Sequence, residues 1–310
     1  MRLITDFPPE RPGPLALVIG NFDGLHRGHR ALLESARRKA SRTGLTPALL
    51  TFEPHPREFF GKPATPFRLT SRADKIRLLT AWKWPLTFMA PFDQAMAETS
   101  AQDFVERVLF EQLNAKALFI GDDFHFGAQR AGTPTLLRDI CDRYGIDISI
   151  QSKLIDEKGI GFSSTFIRRA LREGALADAR RQLGRFWTIS GTVERGERRG
   201  TALGFPTANV ALGAYVRPTF GVYAVFGMRG DHMLPGVANL GLRPTFAGQQ
   251  ERLEVHFFDF AGDLYGETVS IAMVDFLRAE RSFAGPAELR DQIARDCLAA
   301  RAVLERQNGL

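Results

Sequence analysis

From residue 15 to about 155 the chain alternates short apolar runs with amphipathic stretches, and no other feature restricts its fold as strongly. The runs LALVIG, PALLTFEP, LTFMAPF, ALFIGDDF and DISIQSKLI are separated by helix-like segments that end at Thr43 or begin at Ser71, Ser100 and Thr133. That alternation predicts a parallel sheet covered by helices on both faces. Such a sheet binds ligands beyond the carboxyl ends of its strands. Two more helix-like segments, SSTFIRRALREG with hydroxyl residues at its start and LADARRQLG, lead to Gly184. After it, WTISGTV, GVYAVFGM, PGVANLG, RLEVHFFDF and TVSIAMVDF, broken by Gly and Pro, predict an antiparallel β-barrel. From Pro286 to about Arg306 a terminal helix is expected, packed on the barrel through Leu289, Ile293, Cys297, Ala300 and Leu304. The expected fold is therefore α/β plus β, with domains at 1–184 and 185–310; a length of 310 residues fits two domains.

At 44% hydrophobic and 25% charged residues the composition is that of a folded protein. No apolar run is long enough to span a bilayer, and MRLITDFPPERPGP lacks the apolar core of a signal peptide, so a cytoplasmic protein without a membrane partner is expected. Cys141 and Cys297 lie far apart in helix-like patterns and read as reduced, buried thiols. The formal charge of +6 has two readings, a solvated basic face or an attraction for anionic small molecules. Its arginines and lysines are spread along helices without a nucleic-acid motif, so no nucleic-acid partner is expected.

The stretch GNFDGLHRGH, Gly20 to His29, leaves an apolar strand and turns into a helix with two histidines three residues apart. Two imidazoles one turn apart share a face of the helix start. Backbone N–H groups at such a terminus attract phosphate, and Gly24 and Gly28 allow close approach. Histidines placed there can donate hydrogen bonds to charge developing at phosphorus.

HRGH resembles the HxGH signature of the nucleotidyltransferase superfamily, and Gly20–His29 resembles the form found in bacterial bifunctional riboflavin kinase/FAD synthetases. TFEPHPREFF, LTSRADKIRLL, IGDDFHFGAQRAGT and SSTFIRRALREG follow in the order of that family's adenylyltransferase motifs. The resemblance implies a Rossmann-like nucleotidyltransferase domain in which His26 and His29 contact the phosphates of ATP, with Gly20, Asn21, Asp23 and Gly28 beside them. It implies too that Ser164, Thr165 and Arg168 hold the β- and γ-phosphates that leave as pyrophosphate. In-line displacement at the α-phosphorus needs positioned donors and cations but no covalent nucleophile. In GDDFHFG, Phe124 and Phe126 at spacing two offer a wall for an isoalloxazine ring, with Asp123 at the end of the strand; burial in the sheet core is the other reading. His125 stands where the family often has Arg. His55, between Pro54 and Pro56, reads either as part of a turn or as a secondary site candidate.

In GTVERGERRGTALGFPTANV, Gly191 to Val210, a glycine-rich loop precedes Thr207 and Asn209, which project to one face of an extended strand. Two neutral oxygens on one face suit a Mg²⁺ that takes its other ligands from water and phosphate. PTAN followed by GVYAV, GVANLGLRPTF, LEVHFFDF and DLYGE resembles riboflavin kinases. The resemblance implies that Thr207 and Asn209 hold Mg-ATP, that Gly196 and Gly200 belong to the loop over its phosphates, and that Glu254 is the catalytic glutamate. Glu267 is the reserve for that role, and Arg243 reads as a ligand contact or a turn residue. Thr201 replaces a basic residue common after the loop glycine, which weakens the expected grip on phosphate. The whole resemblance implies ATP-dependent phosphorylation of riboflavin to FMN and adenylylation of FMN to FAD, with exchangeable Mg²⁺ arriving with ATP. Riboflavin, FMN, FAD and ATP are then the partners, and the oligomeric state is open. Two rival readings are a single activity with a regulatory second half, and an adenylyltransferase for another acceptor.

Overall fold

Alternate residues of Leu15–Ile19 feed two different cores, which is why this strand is apolar at every position. Leu15, Leu17 and Ile19 pack with Leu50, Phe52, Phe104 and Leu137 on one face, while Ala16 and Val18 pack with Leu33, Ala36, Leu79 and Trp84 on the other. A parallel sheet covered on both faces requires that pattern. The structure is a computed structural model that describes residues 1–308 apart from 9, 62–64, 196–199, 201–202, 231 and 246–247, with side chains described outside 243–250 and 308. The chain forms two compact units, 1–65 with 72–163 and 66–71 with 164–310.

The first unit carries six strands, β1 Arg2–Ile4, β2 Leu15–Ile19, β3 Thr46–Glu53, β4 Leu86–Pro91, β5 Ala115–Gly121 and β6 Asp147–Gln151. They pair in parallel in the order β1-β4-β3-β2-β5-β6. The edge strand β1 is absent from the sequence reading because three residues carry no periodicity. Its helices are α1 Arg27–Thr43, the short α2 Pro56–Phe59, α3 Arg72–Ala81, α4 Gln94–Glu98, α5 Ala101–Asp103 continuing into a π-helical stretch Phe104–Gln112, and α6 Pro134–Tyr144. Side chains cap the starts of α1, α2, α4, α5 and α6: His26, His55, Asp93, Ser100 and Thr133 each accept a backbone N–H in the first turn.

The second unit closes a six-stranded barrel from β7 Trp187–Glu194, β8 Ala208–Val210, β9 Gly221–Arg229, β10 His232–Thr245, β11 Gly248–Phe257 and β12 Thr268–Ala279, in the order β10-β11-β8-β7-β12-β9. Two helices, α7 Ser164–Arg172 and α8 Leu176–Leu183, belong to it. They bury Ile167, Leu171, Leu176 and Leu183 in the same cluster as Ile189, Val225 and Leu253 of the barrel. Packing therefore divides the chain at Ser163 and Ser164, whereas the change of sequence texture falls near Gly184. The segment 66–71 joins this unit by backbone bonds from Arg68 to Ala214 and from Val216 to Arg68, and by the Trp187 indole N–H to the Leu69 carbonyl at 2.9 Å.

The terminal helix α9, Pro286–Asn308, covers the outer barrel surface with Ala300 and Leu304 against Val222, Phe226 and Val274. Its buried stripe differs from the expected one in the first half, where Gln292 and Asp296 are buried and Leu289 and Ile293 are only half-buried. Arg278 of β12 explains the shift: its Nε and Nη2 reach the Asp296 carboxylate at 2.7–3.1 Å, and the Gln292 amide donates to Asp296 at 2.7 Å. Removing one partner leaves the other charge without compensation, so Asp296→Ala is expected to cost roughly 3 kcal/mol in urea unfolding. Arg290→Ala, at an exposed pair 3.8 Å from Asp291, is expected to cost under about 0.5 kcal/mol, and equal losses would contradict this account.

Candidate functional site

The order of the parallel sheet reverses between β2 and β5, since β2 leads by way of α1 to β3 on one side while β5 lies on the other. In open α/β sheets the crevice at such a reversal, beyond the carboxyl ends of the strands, is where ligands sit. The turn Gly20–His26 leaves β2 at that point, and Asp123, Phe124 and Phe126 leave β5 beside it.

Gly20 extends β2 by one bond, its N–H donating to the Leu50 carbonyl at 3.2 Å. The exposed Asn21 follows, and then a turn in which Phe22 (φ 51°) and Leu25 (φ 42°) occupy the left-handed region. Left-handed backbone at non-glycine residues costs energy and persists only where surroundings fix it. Here both side chains are sunk in the core, Phe22 at 1% exposure and Leu25 at 0%. Asp23 is buried in the same turn.

His26 is the N-cap of α1, and its Nδ1 accepts the backbone N–H of His29 at 3.3 Å. A ring nitrogen that accepts carries no proton, so in the neutral ring the proton is on Nε2. The two imidazoles stack with centroids 3.6 Å apart and planes inclined by 16°, and Phe22 lies 4.7 Å from His29 on centroids. The expected pairing of two histidines on one helix-start face is thus present. Gly28 makes it possible: a Cβ there would lie 3.1 Å from Cε1 and Nδ1 of His26 and 3.1 Å from the Phe162 Cβ. The arrangement sets a helix N-terminus beside two stacked imidazoles, a place that attracts phosphate.

Beneath this turn lies a group that the sequence reading passed over. Lys75 of α3, only 1% exposed, donates from Nζ to the Asn21 carbonyl at 2.8 Å and contacts the Thr51 hydroxyl at 3.3 Å. Lys75 shares a helix face with the buried Leu78 and Leu79, and a lysine in an apolar stripe is the signal that marks it.

Of the β5 residues, Phe126 is a core ring at 6% exposure, packed 5.6 Å from Phe104 and stacked 5.4 Å from Phe124. Phe124 is half-buried and in front of it Asp123 is exposed, 3.5 Å from Lys153 Nζ. The core reading therefore fits Phe126, and the partly open ring is that of Phe124. His55 is buried as the cap of α2, accepting the Arg57 N–H at 3.1 Å. Ser164 and Thr165 start α7 in the second unit, and Arg168 on the same helix donates from Nε to the Phe67 carbonyl at 2.7 Å with its guanidinium 5.4 Å from the Phe67 ring.

On the barrel, Val210, Leu253, Val255, Ala238 and Leu240 point into the core, so their strand neighbours point outward. The register then sets Asn239, Glu254, Asn209 and Glu194 side by side across β10, β11, β8 and β7. Asn209 and Glu254 are direct cross-strand partners, and Asn239 and Glu194 extend the polar row beyond the residues expected from sequence. Arg252 approaches Asn209 Oδ1 at 3.5 Å. Gly200 lies against Thr207: a Cβ there would sit 3.3 Å from Thr207 Oγ1 and 2.4 Å from the Phe205 carbonyl. Hydroxyl, amide and carboxylate oxygens beside a closely approaching backbone fit a small hard cation such as Mg²⁺. Gly196, Thr201 and the Arg243 side chain lie outside the described residues. The reserve carboxylate Glu267 is held by Arg229 in a two-pronged pair at 2.6 and 2.7 Å.

A family model described as FAD synthetase matches residues 9–166, and one described as riboflavin kinase matches residues 183–304. A bifunctional riboflavin kinase/FMN adenylyltransferase of Escherichia coli (strain K12) is 44% identical over 287 residues, 92% of this chain and 91% of that one. A protein of the same name from Haemophilus influenzae is 40% identical over 289 residues, 93% of each. Among solved structures, a Streptococcus pneumoniae protein named as a macrolide-efflux protein is similar at a TM-score of 0.82 and 30% identity, over 95% of this chain and 96% of that one. Among the described residues no helix is long and apolar enough to cross a membrane.

Both cysteines stand outside these sites. Burial pushes the Cys141 thiol up to about 12 and the half-buried Cys297 thiol up to about 11. Only the thiolate is nucleophilic, so at pH 8 iodoacetamide is expected to label the folded protein at least about a hundredfold more slowly than an ordinary exposed thiol. Rapid labelling of either cysteine without unfolding would contradict the packing around it.

Proposed function

The chain belongs to the bifunctional riboflavin kinase/FMN adenylyltransferase family, and we propose that it divides the two reactions between the turn at the start of α1 and the polar row on the outer face of the barrel. It makes FMN from riboflavin and FAD from FMN, each step with ATP. The stacked His26 and His29 at the start of α1 carry the assignment of adenylyl transfer to the β2 end of the sheet.

In that reaction the His26 and His29 rings donate to the oxygens of the attacked α-phosphate as charge builds there. The turn of Gly20, Asn21, Asp23 and Gly28 holds the triphosphate against the helix start. Ser164, Thr165 and Arg168 serve the departing pyrophosphate, an assignment supported by their motif. Phe124, backed by Phe126, gives the isoalloxazine ring an apolar face, with Asp123 at its polar edge. For function the boundary is placed at 184 and 185, so that adenylyl transfer is assigned to 1–184 and phosphorylation to 185–310.

In the kinase reaction Glu254 accepts the proton of the terminal ribityl hydroxyl as that oxygen attacks the γ-phosphate of ATP, because a protonated alcohol is a poor nucleophile. Thr207 and Asn209 would hold the magnesium–nucleotide complex beside it, and Gly200 and Gly196 are assigned to the phosphate loop on their motif. Thr207 and Asn209 are both uncharged, so neutralising the phosphate charge there would fall to a bound Mg²⁺. The reading is supported by the direct cross-strand pairing of Asn209 with Glu254. Mg²⁺ is proposed for both steps, and the cytoplasm as their place.

With FMN supplied, His29→Ala is expected to lower FAD formation by about 10²-fold or more while leaving riboflavin phosphorylation within about twofold. Glu254→Ala is expected to do the reverse, with a loss on the order of 10²–10⁴-fold in FMN formation. Chromatographic separation of riboflavin, FMN and FAD reads both variants, and loss of both activities in either folded variant would contradict the division.

A further inference from the structure

Among the described residues Lys75 is the most deeply buried charged side chain, at 1% exposure. Burying an ammonium is costly unless hydrogen bonds compensate it, and a helix needing only an apolar face would carry another leucine there, as at Leu78 and Leu79. Two of its contacts point to a specific task. Lys75 Nζ donates to the Asn21 carbonyl at 2.8 Å, Thr51 Oγ1 of β3 donates to the same carbonyl at 3.1 Å, and the two side chains contact each other at 3.3 Å. Thr51 is itself fully buried. Two donors from two elements thus occupy one carbonyl oxygen, whose two lone pairs can take both.

That carbonyl belongs to the peptide between Asn21 and Phe22, the first hinge of the turn that ends in the His26 cap. In a planar trans peptide the N–H points opposite to the C=O, so holding the Asn21 carbonyl against Lys75 directs the Phe22 N–H to the other side of the turn. The next backbone angle is the left-handed φ of 51° at Phe22, a conformation that needs outside support.

We infer that Lys75, through the Asn21 carbonyl and with Thr51, is a positioning residue for the phosphate turn and sets the orientation of His26 and His29 for adenylyl transfer. The inference rests on the assignment of that reaction to Gly20–His29. Lys75 acts through the backbone, and its desolvated charge adds positive potential beneath a turn that must receive a polyanion. Misplacement of a reacting assembly by about 1 Å costs on the order of 10² in rate, so the effect belongs in kcat.

The test uses the full chain with FMN and ATP supplied. Lys75→Met, similar in length and apolar, is expected to lower kcat for FAD formation by about thirtyfold or more while changing KM for ATP less than about threefold. Thr51→Val, which keeps the shape of β3, is expected to lower kcat by about fivefold, and the double variant to lose no more than Lys75→Met alone, since both act on one carbonyl. Should Lys75→Met fail to fold, Thr51→Val carries the test. A folded Lys75→Met within about twofold of the parent in kcat, an unchanged Thr51→Val, or strictly multiplicative losses in the double variant would overturn the inference. His29→Ala run alongside separates the two ideas. Its inactivity beside an active Lys75→Met overturns the role of Lys75 alone, whereas an active His29→Ala overturns the site assignment and the inference with it.

Discussion

A strand buried on both faces has no surface along its length on which to hold a ligand, and a closed barrel packed with side chains has none inside. That constraint limits where this chain can hold a ligand. In the first unit β2 gives alternate residues to two cores, so the nearest polar groups follow its last residue, at Asn21, Asp23 and the His26 cap. In the second, the inward Val210, Leu253 and Val255 fix which residues face out, and the register then sets Asn209 opposite Glu254. Packing decides position, and position decides which side chains can meet a phosphate.

The same logic explains the price of the N-terminal turn. Two non-glycine residues hold left-handed backbone, and both have side chains buried at 1% exposure or less. Below them a buried lysine and threonine grip one carbonyl. Strain, apolar burial and a compensated charge act on a single short segment, which keeps its N–H groups and imidazoles from relaxing toward ordinary turn geometry. Preorganisation of this kind is what stabilisation of developing charge requires.

Much of this was legible in the amino-acid sequence because periodicity and spacing are local. Continuous apolar runs marked the parallel strands, and HRGH marked two rings on one helix start. What was not legible depends on contacts distant in sequence. The stripe of α9 runs through Gln292 and Asp296 because Arg278 waits on β12, and α7 and α8 pack with the barrel although their sequences read as a continuation of the α/β pattern. Lys75 stands out in sequence only as a lysine within an apolar stripe, and its task depends on Asn21 and Thr51, which come from distant segments. Phe124 and Phe126 look equivalent at spacing two, and only the neighbouring Phe104 shows that Phe126 is the core ring.

The central claim is that each reaction has its own residues, one set at the start of α1 and one on the outer face of the barrel, with FMN as the common compound. Mixing His29→Ala and Glu254→Ala proteins in equal amounts with riboflavin, ATP and Mg²⁺ tests it most directly. FAD accumulating after FMN in the mixture, although neither variant alone makes FAD from riboflavin, is the result the account predicts. A mixture that forms no FAD while both proteins remain folded would contradict it.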